Sequence, residues 1–196
     1  MNVLHTVRAR RRQPRPVPSR AALWIALPLA VGGLAGCEND DPNAFAPACA
    51  QVGILGDAAD YSDYGASESQ PDLAKLVAHG SIAGVSGHCS AAARGTQLHT
   101  EIRLDLAITR GPAAQGHTLD VPYFIAVTRD GQVISKQTLV AQAQFPDNGD
   151  RVLVRTDPLA LDLPVTRARP GDSYRIEVGF QLSADQLAYN RAHISH

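Results

Sequence analysis

A serine close to a histidine is the first candidate for covalent chemistry in this chain. Ser86 lies in Gly84-Val85-Ser86-Gly87-His88, which approaches the G-x-S-x-G motif that presents a nucleophilic serine on a strand–turn–helix. The match is incomplete, because His88 stands where the motif has its second glycine and no helical pattern follows. We interpret the segment as a glycine-rich strand end, and serine hydrolysis ranks last among the functions considered.

Three aspartates form the first candidate for metal binding. Asp57, Asp60 and Asp63 recur at every third position, and carboxylate oxygens are the ligands that calcium prefers. The spacing differs from that of an EF-hand loop, in which the ligands alternate and glycine is sixth. A solvated acidic loop is the favoured interpretation, and calcium binding is the alternative.

Histidines form the second candidate. His79, His88 and His99 would meet if neighbouring strands brought them together, but no spacing among them is typical of a metal site. Surface histidines are the favoured interpretation. The glycine-containing stretch 111–116 lacks the Lys-Ser/Thr of a phosphate-binding loop, so no cofactor is predicted.

The first 36 residues have the composition of an export signal. Residues 1–20 contain six arginines and no acidic residue, and the 15 residues 21–35 are uncharged and mostly apolar. A membrane-spanning helix needs about 20 apolar residues, and Pro28, Gly32 and Gly33 interrupt this run. The pattern therefore favours a cleaved leader over a single-span anchor.

This leader closes with Leu34-Ala35-Gly36-Cys37. In the order of basic segment, apolar run and cysteine, residues 8–37 resemble the lipobox signal of bacterial lipoproteins. The resemblance implies that residues 1–36 are removed and that the Cys37 thiol carries diacylglycerol, which makes membrane lipid a partner. Two or more acyl chains hold a protein stably on a bilayer. Glu38, rather than aspartate, follows the cysteine, which favours the periplasmic face of the outer membrane over the inner membrane.

The body of the chain carries a second resemblance. The stretches Val-Gly-Ile-Leu-Gly-Asp-Ala-Ala after Cys49 and Gly-Phe-Gln-Leu-Ser-Ala-Asp-Gln-Leu near the end are similar to small envelope lipoproteins of diderm bacteria. This resemblance implies no activity.

The mature chain implied by this cleavage is acidic. The leader holds six of the 18 Lys and Arg residues and none of the 19 Asp and Glu residues, so residues 37–196 keep 12 basic against 19 acidic side chains, a net charge of −7. Nucleic-acid binding depends on neutralising phosphates and is excluded on this balance. Residues 37–47 are polar with two prolines and predict a flexible tether, and residues 48–196 predict a single domain.

Two cysteines remain after the lipidation site. Because an exported compartment is oxidising, we expect a disulfide between Cys49 and Cys89. Two buried free thiols are the alternative. A zinc site that includes His79 and His88 is the third interpretation, since the paired ligand spacing of zinc sites is missing.

The elements that must position these residues are strands. Residues 98–110 alternate with period two over one apolar and one polar face, the pattern of a half-buried strand; the apolar face holds Leu98, Thr100, Ile102, Leu104, Leu106 and Ile108. Further strands are predicted at 52–55, 76–89, 121–128, 133–145, 151–156, 159–165 and 174–182, and residues 56–72 are predicted as a loop. Pro122 predicts an edge or bulge position for its strand.

Local signals mark one turn and one helix. Asp130-Gly131 between apolar runs predicts a type I′ hairpin turn. Ser183 and Gln186 have the spacing of a capping box, which predicts a short helix over 184–192.

These elements predict an all-β fold: a single antiparallel β-sandwich, immunoglobulin-like or fibronectin-III-like, with a short C-terminal helix. A small β-barrel is the alternative. With no complete catalytic motif, we expect a non-enzymatic, lipid-anchored envelope protein that binds another envelope protein or serves in assembly. The alternative is a module that binds a small periplasmic ligand or calcium.

Overall fold

The computed structural model describes residues 47–65 and 72–193. The predicted signal peptide, Cys37 and almost all of the predicted tether lie outside these residues. Within the two described ranges, no helix is both long and apolar enough to cross a membrane.

Sheet 1 contains four strands in the order β1-β9-β5-β6. Their bounds are Gln51–Ile54 for β1, Thr118–Arg129 for β5, Gln132–Gln144 for β6 and Tyr174–Phe180 for β9. β1 runs parallel to β9, and the other neighbours are antiparallel. β5 has β9 and β6 on its two sides, so it is an inner strand and not the edge strand that Pro122 predicts, although its ladder with β9 begins at Tyr123, one residue after Pro122. The bulge at this pair lies in β6, where Ile134 is the extra residue opposite Val127 and Thr128.

Sheet 2 contains the remaining five strands, joined in the order β2-β3-β4-β7 with β8 also paired to β4. Their bounds are Asp60–Asp63 for β2, Ala78–Ala92 for β3, Gln97–Arg110 for β4, Arg151–Arg155 for β7 and Leu159–Pro164 for β8. β7 and β8 pair with successive stretches of β4 and form one interrupted strand. At the interruption, the buried Thr156 hydroxyl accepts a hydrogen bond from the Leu104 amide at 3.0 Å.

The prediction of a β-sandwich with a short C-terminal helix is confirmed, and the alternative of a β-barrel is wrong, because the described strands form two separate sheets. The consecutive strands β4 and β5 lie in different sheets, and each lies beside a later strand: β7 and β8 for β4, and β9 for β5. Immunoglobulin-like sandwiches have the same arrangement: the consecutive strands B and C lie in different sheets, B beside the later strand E and C beside the later strand F.

The core lies between the sheets and follows the alternation of β4. The aliphatic residues on the inward face of β4 are all buried: Leu98, Ile102, Leu104, Leu106 and Ile108. The opposing sheet contributes buried side chains of β5 and β9, among them Tyr174, Ile176, Val178 and Phe180. One row of apolar side chains on each sheet therefore meets the other, as the period-two pattern requires.

The C-terminal helix α1 (Ala184–His193) begins as its capping box predicts. The Gln186 amide donates to the Ser183 hydroxyl at 3.2 Å, and the Ser183 amide donates to Gln186 Oε1 at 2.9 Å. The helix lies along β2: Gln186 Nε2 donates to the Ser62 carbonyl at 2.9 Å, and Asn190 Nδ2 donates to the Asp60 carbonyl at 2.9 Å.

Local conformation agrees with the turn prediction and departs from one loop prediction. Asp130 (φ 51°) and Gly131 (φ 76°) both have the positive φ that a type I′ turn requires. The predicted loop 56–72 contains β2, a four-residue strand paired with β3. Four residues are too few to show the alternation of apolar and polar side chains that predicts a strand, and the extended conformation of β2 depends on its pairing with β3.

A disulfide joins the two sheets at one side of the sandwich. It links Cys49, just before β1 of sheet 1, to Cys89 on β3 of sheet 2; the Cα atoms are 6.0 Å apart, and the two cysteines are 40 positions apart in sequence. The predicted pairing of these cysteines agrees with this arrangement.

Removing the bridge should lower the stability of the protein. In the chain-entropy model, closing a loop of this length stabilises the fold by about 3–4 kcal/mol. The free energy of unfolding of a Cys49→Ala/Cys89→Ala double variant, measured by urea denaturation, should therefore be lower by that amount. Wild-type protein treated with reductant is the matched control and should fall to the same stability. Equal stability of the oxidised wild type and the double variant would contradict the prediction.

Candidate functional site

A pocket of about 270 Å³ opens between the two sheets beside the disulfide. Its walls come from the start of β1, the second half of β3 and the facing part of β4. The residues that line it are Cys49, Ala50, Val52, Val85, Ser86, Gly87, His88, Cys89, Thr100, Glu101 and Ile102. This set includes the serine, one histidine and both cysteines singled out in the sequence.

The pocket exists because the sandwich is incompletely filled on this side. Val52 pairs with the fully buried Ile176 and lies on the same inward face, yet it remains 44% exposed. Gly87 lies opposite Ile102 and has no side chain to fill the space. A Cβ at Gly87 would collide with the carbonyl oxygen of Glu101, so close approach of the β4 backbone restricts this position to glycine.

One polar group on the pocket wall has no partner. Thr100 is 4% exposed, and its Oγ1 makes no hydrogen bond. Leaving a buried hydroxyl unpaired costs about 1–3 kcal/mol. Oγ1 is itself buried, so a ligand that offers it a hydrogen bond must first displace the side chains around it, and would then recover part of that free energy.

The outer side of the same strands carries a line of ionisable groups. Glu101 lies between two histidines, with Oε2 at 3.9 Å from His88 Nδ1 and Oε1 at 3.7 Å from His99 Nε2. His99 Nδ1 also lies 2.8 Å from Asp162 Oδ1. The hydrogen bond to Asp162 is the largest influence on His99 and raises its pKa, with the Glu101 carboxylate acting in the same direction.

Ser86 lacks the setting of an activated nucleophile. It lies in the middle of β3, which continues to Ala92, so the strand–turn–helix of a nucleophile elbow is not formed around it. Among the described residues, no hydrogen bond joins Ser86 to His88. The structure thus brings a serine, a histidine and a glutamate to one rim without the hydrogen bonds that would activate the serine.

Two of the three aspartates of the calcium hypothesis have separate partners, and the third is exposed. Asp57 Oδ2 accepts a hydrogen bond from Arg191 Nε at 2.8 Å. The two oxygens of Asp63 accept from the Gly65 amide at 2.7 Å and from the Tyr61 hydroxyl at 3.2 Å. Asp60 is exposed on β2. These contacts explain the aspartates as parts of the loop and of its contact with α1.

The three histidines of the metal hypothesis do not converge. His88 and His99 both approach Glu101, whereas His79 contacts Ser62 at 3.1 Å, nine positions earlier along β3 than His88. Nine residues of strand span roughly 30 Å. Within residues 47–65 and 72–193, no group of three or more His, Cys, Asp or Glu side chains is placed to hold a metal ion.

Thr100 is the site residue that sequence reasoning passed over. Its signal was present, because it is the one hydroxyl in the apolar row of β4. Thr156 is the other buried threonine in the described part of the chain, and its hydroxyl is paired with the Leu104 amide. The two threonines therefore form a natural comparison between an unpaired and a paired buried hydroxyl.

Replacing each of these threonines with valine should change stability in opposite directions. Thr100→Val removes an unpaired polar atom and should raise the free energy of unfolding by about 1 kcal/mol, whereas Thr156→Val leaves the Leu104 amide unpaired and should lower it by about 1–3 kcal/mol. Urea denaturation of both variants beside the wild type measures the difference. Equal losses in the two variants would show that the Thr100 hydroxyl has a partner in solution.

Comparison with known proteins adds no family assignment. No protein-family model, curated protein or solved structure matches the chain.

Proposed function

We propose that the protein is a lipid-anchored module of the bacterial envelope that binds a small, mostly apolar molecule in the pocket between its sheets. The observation that carries the binding proposal is the unpaired, buried Thr100 hydroxyl among inward-facing side chains that are otherwise apolar. Support for the anchor comes from the lipobox resemblance of residues 8–37, with Cys37 as the acylated residue.

The pocket limits the chemistry of the ligand. Val52, Val85 and Ile102 offer aliphatic contact, and the volume of about 270 Å³ lies near the lower end of the range for ligand pockets. Glu101 at the rim opposes an anionic ligand. A neutral molecule of one ring or one short hydrocarbon chain, with a single hydroxyl or carbonyl, satisfies these conditions.

A role in protein interaction or assembly is the second candidate here, although it is the first expectation from the sequence. The observation that favours it is the edge strand β6, on which Val133, Ile134 and Val140 are exposed. The two candidates are compatible, because β6 and the pocket lie at different strands of the sandwich.

Binding of p-cresol, compared with toluene, tests the pocket. The two molecules differ by one hydroxyl, and p-cresol should bind about three- to tenfold more tightly to the wild type because it can pair with Thr100 Oγ1. The measurement is an NMR titration of backbone amides, with saturable shifts expected at Val85, Thr100 and Ile102. In Thr100→Val, the preference for p-cresol should disappear while toluene affinity is retained.

Two further variants control this experiment. Val85→Phe should fill the pocket and abolish binding of both molecules, whereas Leu153→Phe, at an exposed position on β7, should leave binding unchanged. Shifts that fail to saturate, or that spread evenly over the surface, would rule out the pocket as a binding site.

Metabolic labelling tests the anchor. Cells grown with radiolabelled palmitate should incorporate label into the wild-type protein, and a Cys37→Ser variant should lose that label because it lacks the acceptor thiol. The Cys49→Ala/Cys89→Ala variant is the matched control and should remain labelled. Label retained on the Cys37→Ser variant would refute acylation at this residue.

A further inference from the structure

The outer edge of sheet 1 is a long strand that, among the described strands, has no hydrogen-bonded partner on its outer side. β6 has 13 residues and, among the described strands, pairs only with β5. It exposes Val133 by 63% and Val140 by 62%. A free strand edge presents a row of unpaired N–H and C=O groups, which is a template for pairing with another strand.

The other described strand edges carry features that prevent such pairing. β1 has only four residues. β2 is equally short and is covered by α1, whose Gln186 and Asn190 side chains donate to its carbonyls. The edge formed by β7 and β8 is interrupted at Asp157-Pro158 and carries Arg151 and Arg155. Short length, a covering helix, proline and charge are the usual means of blocking an edge.

β3 is similarly protected along its second half. β2 covers only residues 78–81 of this strand. Beyond them, a register shift between Ile82 and Gly84 distorts the strand, and the disulfide at Cys89 holds the segment before β1 against it. β6 also has a bulge, at Ile134, but the ten residues from Ser135 to Gln144 beyond it are the longest uninterrupted stretch among the described edges.

Charge selects the partner for this edge. Residues 37–196 carry a net charge of −7, yet none of the 19 acidic residues lies in β6. Its one charged side chain is Lys136, whose ammonium lies 4.4 Å from the centre of the Phe124 ring on its own sheet. A basic partner strand finds no opposite charge here and an acidic one finds only Lys136, whereas an uncharged strand rich in Gln, Thr and Val meets no repulsion.

We propose that the partner is a second copy of this chain, with the two β6 strands paired antiparallel about a twofold axis. Such a contact is isologous, so the same neutral row lies on both sides. Pairing would join the two four-stranded sheets into one of eight strands. Like charges face each other in only one antiparallel register, the one that places Lys136 of one copy opposite Lys136 of the other.

The test is the protein mass of the full chain, purified in dodecyl maltoside and measured by size-exclusion chromatography with multi-angle light scattering. The wild type should have the mass of two chains. Val140→Lys places one added positive charge on the β6 strand of each copy. Because like charges across a ladder are destabilising, the measured mass should fall to that of one chain. Leu153→Lys, at a comparably exposed position on β7, should keep the mass of two chains.

Hydrogen exchange distinguishes loss of pairing from loss of folding. In the wild type, both alternating sets of β6 amides should be protected, one by β5 and one by the second copy. In Val140→Lys, only the set that donates to β5 should stay protected. A wild type with the mass of one chain, or a Val140→Lys variant that keeps the mass of two, would overturn the proposal.

Discussion

Burial of one face of β4 is the constraint on which the rest of the structure depends. β4 is the central strand of sheet 2, paired with β3 on one side and with β7 and β8 on the other. Full burial of an aliphatic side chain stabilises a fold by about 1.5–3 kcal/mol, and five such side chains of β4 lie in the core. A shift of register by one residue would turn all five to solvent. The same alternation fixes the two faces of the candidate site, because it turns Thr100 inward to the pocket and His99 and Glu101 outward to the rim.

The pocket follows from unequal filling of the space between the sheets. At one side, the aromatic rings of Tyr61 and Phe180 pack with their centres 5.6 Å apart, and both side chains are buried. At the other, the facing residues are small: Ala50, Val52, Gly87 and the disulfide. Here a covalent bond, rather than side-chain packing, joins the sheets. A disulfide holds two segments together without filling the volume beside them, so the same feature that closes the fold leaves a space for a ligand.

The parts of the fold that sequence reasoning predicts are those encoded locally. The alternation of β4, the positive φ of Asp130-Gly131 and the capping box of Ser183 and Gln186 each depend on a few neighbouring residues. The errors are non-local. β2 exists because β3 pairs with it, and the position of Pro122 in an inner strand depends on β9, which lies more than 50 residues later in the chain. The candidate site shows the same division: Ser86, His88 and the cysteines stand out by residue type, whereas Thr100 gains its importance from the register that turns it toward the pocket.

The proposed anchor and the proposed ligand support each other through distance and solubility. Twelve residues separate Cys37 from Cys49, and a fully extended chain of that length reaches at most about 40 Å. With acylation at Cys37, Cys49 at the edge of the pocket cannot be farther than this from the acylated residue. Apolar molecules with a single polar group concentrate at a bilayer rather than in water, because burial of each methylene group contributes about 0.8 kcal/mol. A tethered pocket therefore samples the region where such molecules are most abundant, and a freely diffusing copy of the same domain would lose this advantage while keeping its affinity.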